Sequence, residues 1–88
     1  METFQLSILE ENKTHYSGPA VYCGVMTPTG AIGFQARHEG FAGILLPGSD
    51  VLFRDSGGKE SKISAQWGIL LFRDNQCTIT LAAAPSAE

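Results

Sequence analysis

Residues 67–81 read Trp-Gly-Ile-Leu-Leu-Phe-Arg-Asp-Asn-Gln-Cys-Thr-Ile-Thr-Leu. Cys77, Ile79 and Leu81 alternate with Thr78 and Thr80. Successive residues of a strand point to opposite faces, so an apolar period of two builds a sheet with one buried face. Ile69-Leu70-Leu71-Phe72 is apolar at every position, which fits a strand that is central or covered by an interface. Asp74 and Asn75 separate the two runs, and side chains of this kind bond back to their own turn. The spacing predicts a hairpin in which Trp67–Phe72 pairs with Cys77–Leu81.

The same period recurs outward from this segment. Phe4, Leu6 and Ile8 alternate with Gln5 and Ser7; Val21, Cys23 and Val25 repeat the pattern; Ile32 and Phe34 give a short one. Val51 and Phe53 form a second hairpin half, with Val51–Arg54 expected to pair with Glu60–Ile63 across Ser56-Gly57-Gly58. Breakers at Glu11-Asn12-Lys13, Ser17-Gly18-Pro19, Thr27-Pro28-Thr29-Gly30, Pro47-Gly48-Ser49-Asp50, Asp55-Ser56-Gly57-Gly58 and Arg73-Asp74-Asn75-Gln76 divide the chain into short strands. Leu-Phe-Arg-Asp occurs at 52–55 and again at 71–74, each copy ending a strand and entering a turn. This is an all-β pattern, and its spacing suits a sandwich or a barrel. Only Ala82-Ala83-Ala84 favours helix, and Pro85 stops it. The domain is therefore expected to span 1–84, with 85–88 a flexible tail.

Composition narrows the functions available. Eighty-eight residues make one domain, and 43% hydrophobic residues suffice for one core. Six basic against nine acidic residues give a net charge of −3, so nucleic acid is an unsuitable partner. No apolar run approaches the ~20 residues of a membrane helix, and no basic amphipathic stretch suggests insertion into lipid. Met1 to Glu10 lacks the form of a signal peptide, which places folding in a reducing, cytoplasm-like compartment. Cys23 and Cys77 then read as buried free thiols, and without a histidine at ligand spacing they make no zinc site.

Catalysis needs converging polar groups, and none are evident. His15 follows a turn, and His38 beside Glu39 would put the two on opposite sides of a strand. Glu10, Glu11, Asp50, Asp55, Glu60 and Asp74 fall in turns, the usual solvated positions. Gly30-Ala31-Ile32-Gly33 and Gly57-Gly58 precede no helix, so neither cradles phosphate. No enzyme activity, metal or cofactor is expected.

Gly30-Ala31-Ile32-Gly33-Phe34-Gln35-Ala36-Arg37-His38-Glu39-Gly40-Phe41 resembles a segment of the N-terminal β-sandwich of the epsilon subunit of F-type ATP synthase. That family carries Gly-acidic-apolar-Gly-apolar and then Pro-Gly-His-Ala-Pro-Leu. Both glycines, His38 and an apolar Phe41 are kept, whereas Ala31, Ala36-Arg37 and Glu39-Gly40 depart from it. Other motifs follow in order: Phe4–Leu9 as first strand, Tyr16-Ser17-Gly18 like the aromatic-Ser-Gly turn, and Leu46-Pro47-Gly48 like Lys-Pro-Gly. Gly68-Ile69-Leu70 is similar to Gly-Gly-apolar-Leu, with Trp67 at the first glycine, and Asn75–Ile79 to Asn-x-Val-Thr-Val. The resemblance runs from Phe4 to about Ala83.

The resemblance implies a two-sheet β-sandwich of about ten short strands. It implies a non-catalytic rotor subunit in the central stalk, gripping the gamma subunit and the c ring and coupling proton or sodium-ion translocation to ATP synthesis. The place would be the cytoplasmic face of the membrane, as a peripheral part of the complex. Carried over residue by residue, it points to Glu10, His38, Phe41, Ala42 and Gly43 for gamma, and to Thr29, Gly30, Ala31 and Ile32 for the c ring. Phe41-Ala42-Gly43-Ile44-Leu45 reads equally as a gamma-facing strand or as core, the small Ala42 and Gly43 permitting close approach. A stable interface would bury about 800 Å² per partner. The family's C-terminal helical hairpin is missing from this sequence, so its regulatory arm and tight nucleotide binding are expected to be absent. Trp67, replacing a glycine, is expected to be buried unless it covers an interface. The alternative is a ligand- or carbohydrate-binding sandwich, for which the chain has few aromatics.

Overall fold

Two-residue turns with left-handed backbone suit the right-handed twist of the strands they join, and Asp74 and Asn75 adopt φ of 51° and 60°. They close the expected hairpin, with Phe72 opposite Cys77 and Gly68 opposite Leu81. The second hairpin also has its expected register, Val51 opposite Ile63 and Arg54 opposite Glu60. Its turn is held by Asp55 Oδ1, which accepts from the Gly57 and Lys59 amides at 2.9 Å each.

The computed structural model describes residues 2–82, so the expected tail at 85–88 lies outside the described residues. The strands are β1 (Phe4–Glu10), β2 (Lys13–Thr27), β3 (Gly30–Phe34), β4 (Phe41–Ile44), β5 (Ser49–Asp55), β6 (Glu60–Ala65), β7 (Trp67–Arg73) and β8 (Gln76–Ala82). Eight strands among the described residues replace the expected ten or so, and one cause is β2. It runs unbroken for 15 residues through Ser17-Gly18-Pro19, so the aromatic-Ser-Gly turn expected there is continuous strand. Tyr16 reaches forward over Gly18 and its hydroxyl donates to Pro19 O at 2.6 Å.

The order is β4-β7-β8-β1-β2-β5-β6, with β3 also on β2. One ladder thus folds over into the two layers of a β-sandwich. The first half of β2 pairs with β1, and the second half with β3 and β5. Ala20 carries the handover, facing Phe4 of β1 and Asp55 of β5, and the register slips by a bulge between Ala20 and Tyr22. Strands that switch layers need such a bulge. The link after β4 ties the layers again. Leu45 N donates to Gly68 O of β7, Leu46 N to Met26 O of β2, and Gly48 N to Ala65 O of β6.

The core fills the space between layers with Phe4, Leu6, Ile8, Phe34, Val51, Phe53, Leu70, Phe72 and Ile79. Phe34 of β3 stacks on Phe72 of β7, centroids 5.4 Å apart and planes 10° from parallel. Cys23 of β2 and Cys77 of β8 are free and buried. A side-chain hydrogen bond with Cys77 and burial together push the Cys23 thiol up.

Truncating the stacked ring should show its weight: Phe34→Ala is expected to cost about 3–5 kcal/mol in urea unfolding. Burial of both thiols predicts that iodoacetamide at pH 8 adds no mass to the folded chain and two adducts after denaturation, as read by mass spectrometry.

Candidate functional site

Alternation along β7 turns Gly68, Leu70 and Phe72 inward, so Trp67, Ile69 and Leu71 must face out. Trp67 is therefore 43% exposed, not buried as its size suggested, because the inward position beside it belongs to Gly68. Cross-strand register extends this outer face into rows. Ile44, Ile69, Thr80 and Leu9 lie side by side on β4, β7, β8 and β1. Ala42, Leu71, Thr78 and Ser7 form the next row, and Trp67 stands opposite Ala82. Ile44 and Ile69 are each 57% exposed and Leu71 48%. None of these rows carries an ionisable side chain; charge begins at the strand ends, with Arg73 and Asp74 at one and Glu10 at the other. A contiguous apolar sheet face bordered by charge has the make-up of an interaction surface.

Phe41-Ala42-Gly43-Ile44-Leu45 divides between the two readings. Ala42 and Ile44 face out, whereas Phe41 and Gly43 are half-buried and Leu45 is core. A Cβ on Gly43 would come within 2.9 Å of the Phe41 ring, so the close approach that this glycine permits is made by the chain's own phenylalanine. His38 lies in the link between β3 and β4 with Glu39, so the two do not flank a strand. Its ring stands edge-on to Phe34 at 4.6 Å and to Phe72 at 5.6 Å, and its Nδ1 donates to Glu39 O at 2.7 Å. The half-exposed imidazole is thus fixed by the inter-layer stack.

Glu10 ends β1 and accepts from His15 Nε2 at 2.7 Å. Ile8 faces Tyr16 and Leu9 faces Thr14, so His15 is the extra residue of a β-bulge. The bulge re-aims a side chain, and here it brings His15 to Glu10. Glu10 stands beside Leu81 in the register, whereas His38 lies by Phe72 at the other end. A strand of seven residues separates the two ends, about 20 Å. The apolar rows lie between them.

Thr29 and Gly30 occupy the β2–β3 turn. Thr27 Oγ1 accepts from Thr29 N at 3.2 Å and donates to Gly30 O at 2.8 Å, and Gly30 has φ of 127°. Ala31 is exposed, but Ile32 opposite Val25 packs on the core, so only three of the four expected tip residues present their full surface. Met26, opposite Ala31 and 42% exposed, joins them; the sequence reading missed it because the apolar pattern Val21-Cys23-Val25 drew attention to the other face. Among the described residues, no group of three or more His, Cys, Asp or Glu could hold a metal ion, and no helix is long and apolar enough to cross a membrane.

The family profile described as "ATP synthase, Delta/Epsilon chain, beta-sandwich domain" matches residues 3–87. No curated protein matches the chain. Among solved structures, a chain of the Euglena gracilis mitochondrial ATP synthase, in a structure of its OSCP, F1 and c-ring, superimposes with a TM-score of 0.82 at 21% identity over 90% of this chain. A chain of the Tetrahymena thermophila mitochondrial ATP synthase, in a structure of its central stalk and c-ring, gives 0.75 at 15% identity over 92%. The aligned regions span 50% and 64% of those two chains.

The exposure of the single tryptophan gives a direct check on the outer face. Acrylamide is expected to quench Trp67 fluorescence strongly and the emission to lie to the red; a blue, protected emission would place the ring inside.

Proposed function

The chain belongs to the family of the ATP synthase delta/epsilon chain, in its β-sandwich domain, and from that premise we propose that it is a non-catalytic subunit of the central stalk. In this reading it turns with the rotor and helps couple ion translocation to ATP synthesis. It works as a stiff body between two partners and makes or breaks no bond. The uncharged apolar face of β4, β7 and β8 carries the reading, and gamma is its occupant. His38 and Glu10 mark the two polar ends of that contact, and Ala42 lies within it. Phe41 and Gly43 serve it from behind by holding β4 flat. The β2–β3 tip, with Thr29, Gly30, Ala31 and Met26, meets the c ring, with Ile32 anchoring the tip to the core. The site is then the cytoplasmic face of the coupling membrane, held through these partners rather than through lipid. The exposed large apolar side chains of the outer face are aliphatic apart from Trp67, so they do not form the aromatic platform of a sugar-binding module.

Each half-exposed isoleucine covered by a partner contributes on the order of 1 kcal/mol. The double variant Ile44→Thr/Ile69→Thr is therefore expected to bind gamma about 30-fold more weakly. Both replacements suit an exposed strand, so urea unfolding should shift by less than about 1 kcal/mol. Calorimetric titration with gamma of the same organism provides the measurement. Unchanged affinity in the double variant would remove the face from the interface, and failure of the wild-type chain to bind gamma or the c ring would overturn the stalk reading.

A further inference from the structure

We propose that Asn75 is a positioning residue, holding the Arg37–His38 segment in the shape its partner meets. The proposal rests on the reading of His38 as a gamma contact.

The aromatic stack holds the His38 ring, but the backbone of the link between β3 and β4 has few hydrogen bonds of its own. Within it, His38 N donates to Gln35 O at 3.1 Å and His38 Nδ1 to Glu39 O. Arg37 takes φ of 66°, a left-handed backbone that a side chain of this size adopts only when its surroundings hold it there. The surroundings that do so come from the far end of the sequence. Arg37 N donates to Asn75 Oδ1 at 2.7 Å, across 38 residues. Asn75 Nδ2 donates to Thr3 O at 3.0 Å, across 72 residues, and Gln5 N donates to Asn75 O at 3.1 Å.

One amide thus joins three segments. Its orientation is set by its partners, since an amide hydrogen requires the oxygen on one side and a carbonyl requires the nitrogen on the other. Arg37's own side-chain tie, to Glu2 at 2.8 Å, joins side chains that are 78% and 63% exposed, and surface pairs of this kind contribute little.

The residue type is specified twice. The second turn position needs φ of 60°, which asparagine accepts more readily than most residues. The clamp needs one acceptor and one donor on a short stem. Glycine satisfies only the first demand. Aspartate would set an oxygen against Thr3 O. A segment ordered in advance need not be ordered on binding, and that saving appears as affinity.

The test uses the full chain with gamma of the same organism. Asn75→Gly is the informative variant, because Asp-Gly is a favoured pair for this turn and preserves the fold. Hydrogen exchange at the Arg37 amide is expected to quicken about tenfold, with Phe34 and Phe72 amides unchanged, and gamma affinity to fall by about the same factor. Combining it with His38→Ala separates positioning from general weakening: if Asn75 acts through this segment, the double variant loses no more than His38→Ala alone. Wild-type affinity in Asn75→Gly, unchanged Arg37 exchange, or losses that simply add would each overturn the role of Asn75 and leave the stalk reading standing. A wild-type chain that does not bind gamma overturns the stalk reading and this role with it.

Discussion

Phe34 and Phe72 come from strands in different layers, and no backbone ladder joins β3 to β7. The stack between them is the central tie across the sandwich. Phe4 joins at 5.5 Å from Phe72, Phe41 at 5.6 Å from Phe34, and the His38 ring stands against both. Among the described strands β3 pairs with β2 alone, so its position over β7 depends on this packing. The same group sets the start of β4 through Phe41, and with it the edge of the outer apolar face. The part of the molecule that offers His38 and the part that offers Ile44 therefore hang from one aromatic cluster.

The opposite corner is built differently. Gly24 and Gly33 face each other across β2 and β3, and a Cβ on either would come within 2.8 Å of the Tyr22 hydroxyl and 3.0 Å of its ring. The paired glycines form a seat, and Tyr22 fills it as an aromatic side chain fills a bare stretch of sheet. Arg54, opposite Tyr22 on β5, places its guanidinium 5.9 Å from the ring and reaches Glu60 at 3.2 Å. Gly30 and Gly33, a matched pair in the sequence motif, thus answer to separate needs. Gly30 supplies a turn conformation and Gly33 supplies room. Tyr22 ties the β3 segment to β2 on the outer side, whereas Phe34 ties it to β7 on the inner side.

What could be read in advance depends on how local its cause is. Both hairpins and their registers were legible because turn chemistry and a period of two are settled within about fifteen residues. The length of β2 was not. Ser17-Gly18-Pro19 has the composition of a breaker, and only the change of partner from β1 to β5 makes a continuous strand of it. The outer face was half legible: Ile69-Leu70-Leu71-Phe72 announced a strand covered on both sides, but not that the described residues leave its second side exposed. Trp67 was misjudged for the same reason, since its side of the sheet follows from Gly68 being packed between layers. Within the site, the burial of Phe41, Gly43 and Ile32 and the clamp at Asn75 depend on contacts between segments far apart in sequence, where spacing carries no signal.

A domain of this size has little core to spare, and yet it keeps Ile44, Ile69, Leu71 and Trp67 in water. About half of each of those side chains lies outside any packing, so the fold uses only part of their apolar surface. β4 sharpens the point. It is four residues long, lies at the end of the strand order, and carries neither a charge nor a proline. Edge strands are ordinarily blunted by such residues, as β6 is by Glu60 and Lys62. Shortness limits what can pair with β4, but an uncharged edge beside an apolar face still invites association. On the stalk reading the two features have one explanation. A partner that covers the outer face also screens the edge, so the sequence has no need to defend it, and the charges that would blunt β4 would have weakened the contact that protects it.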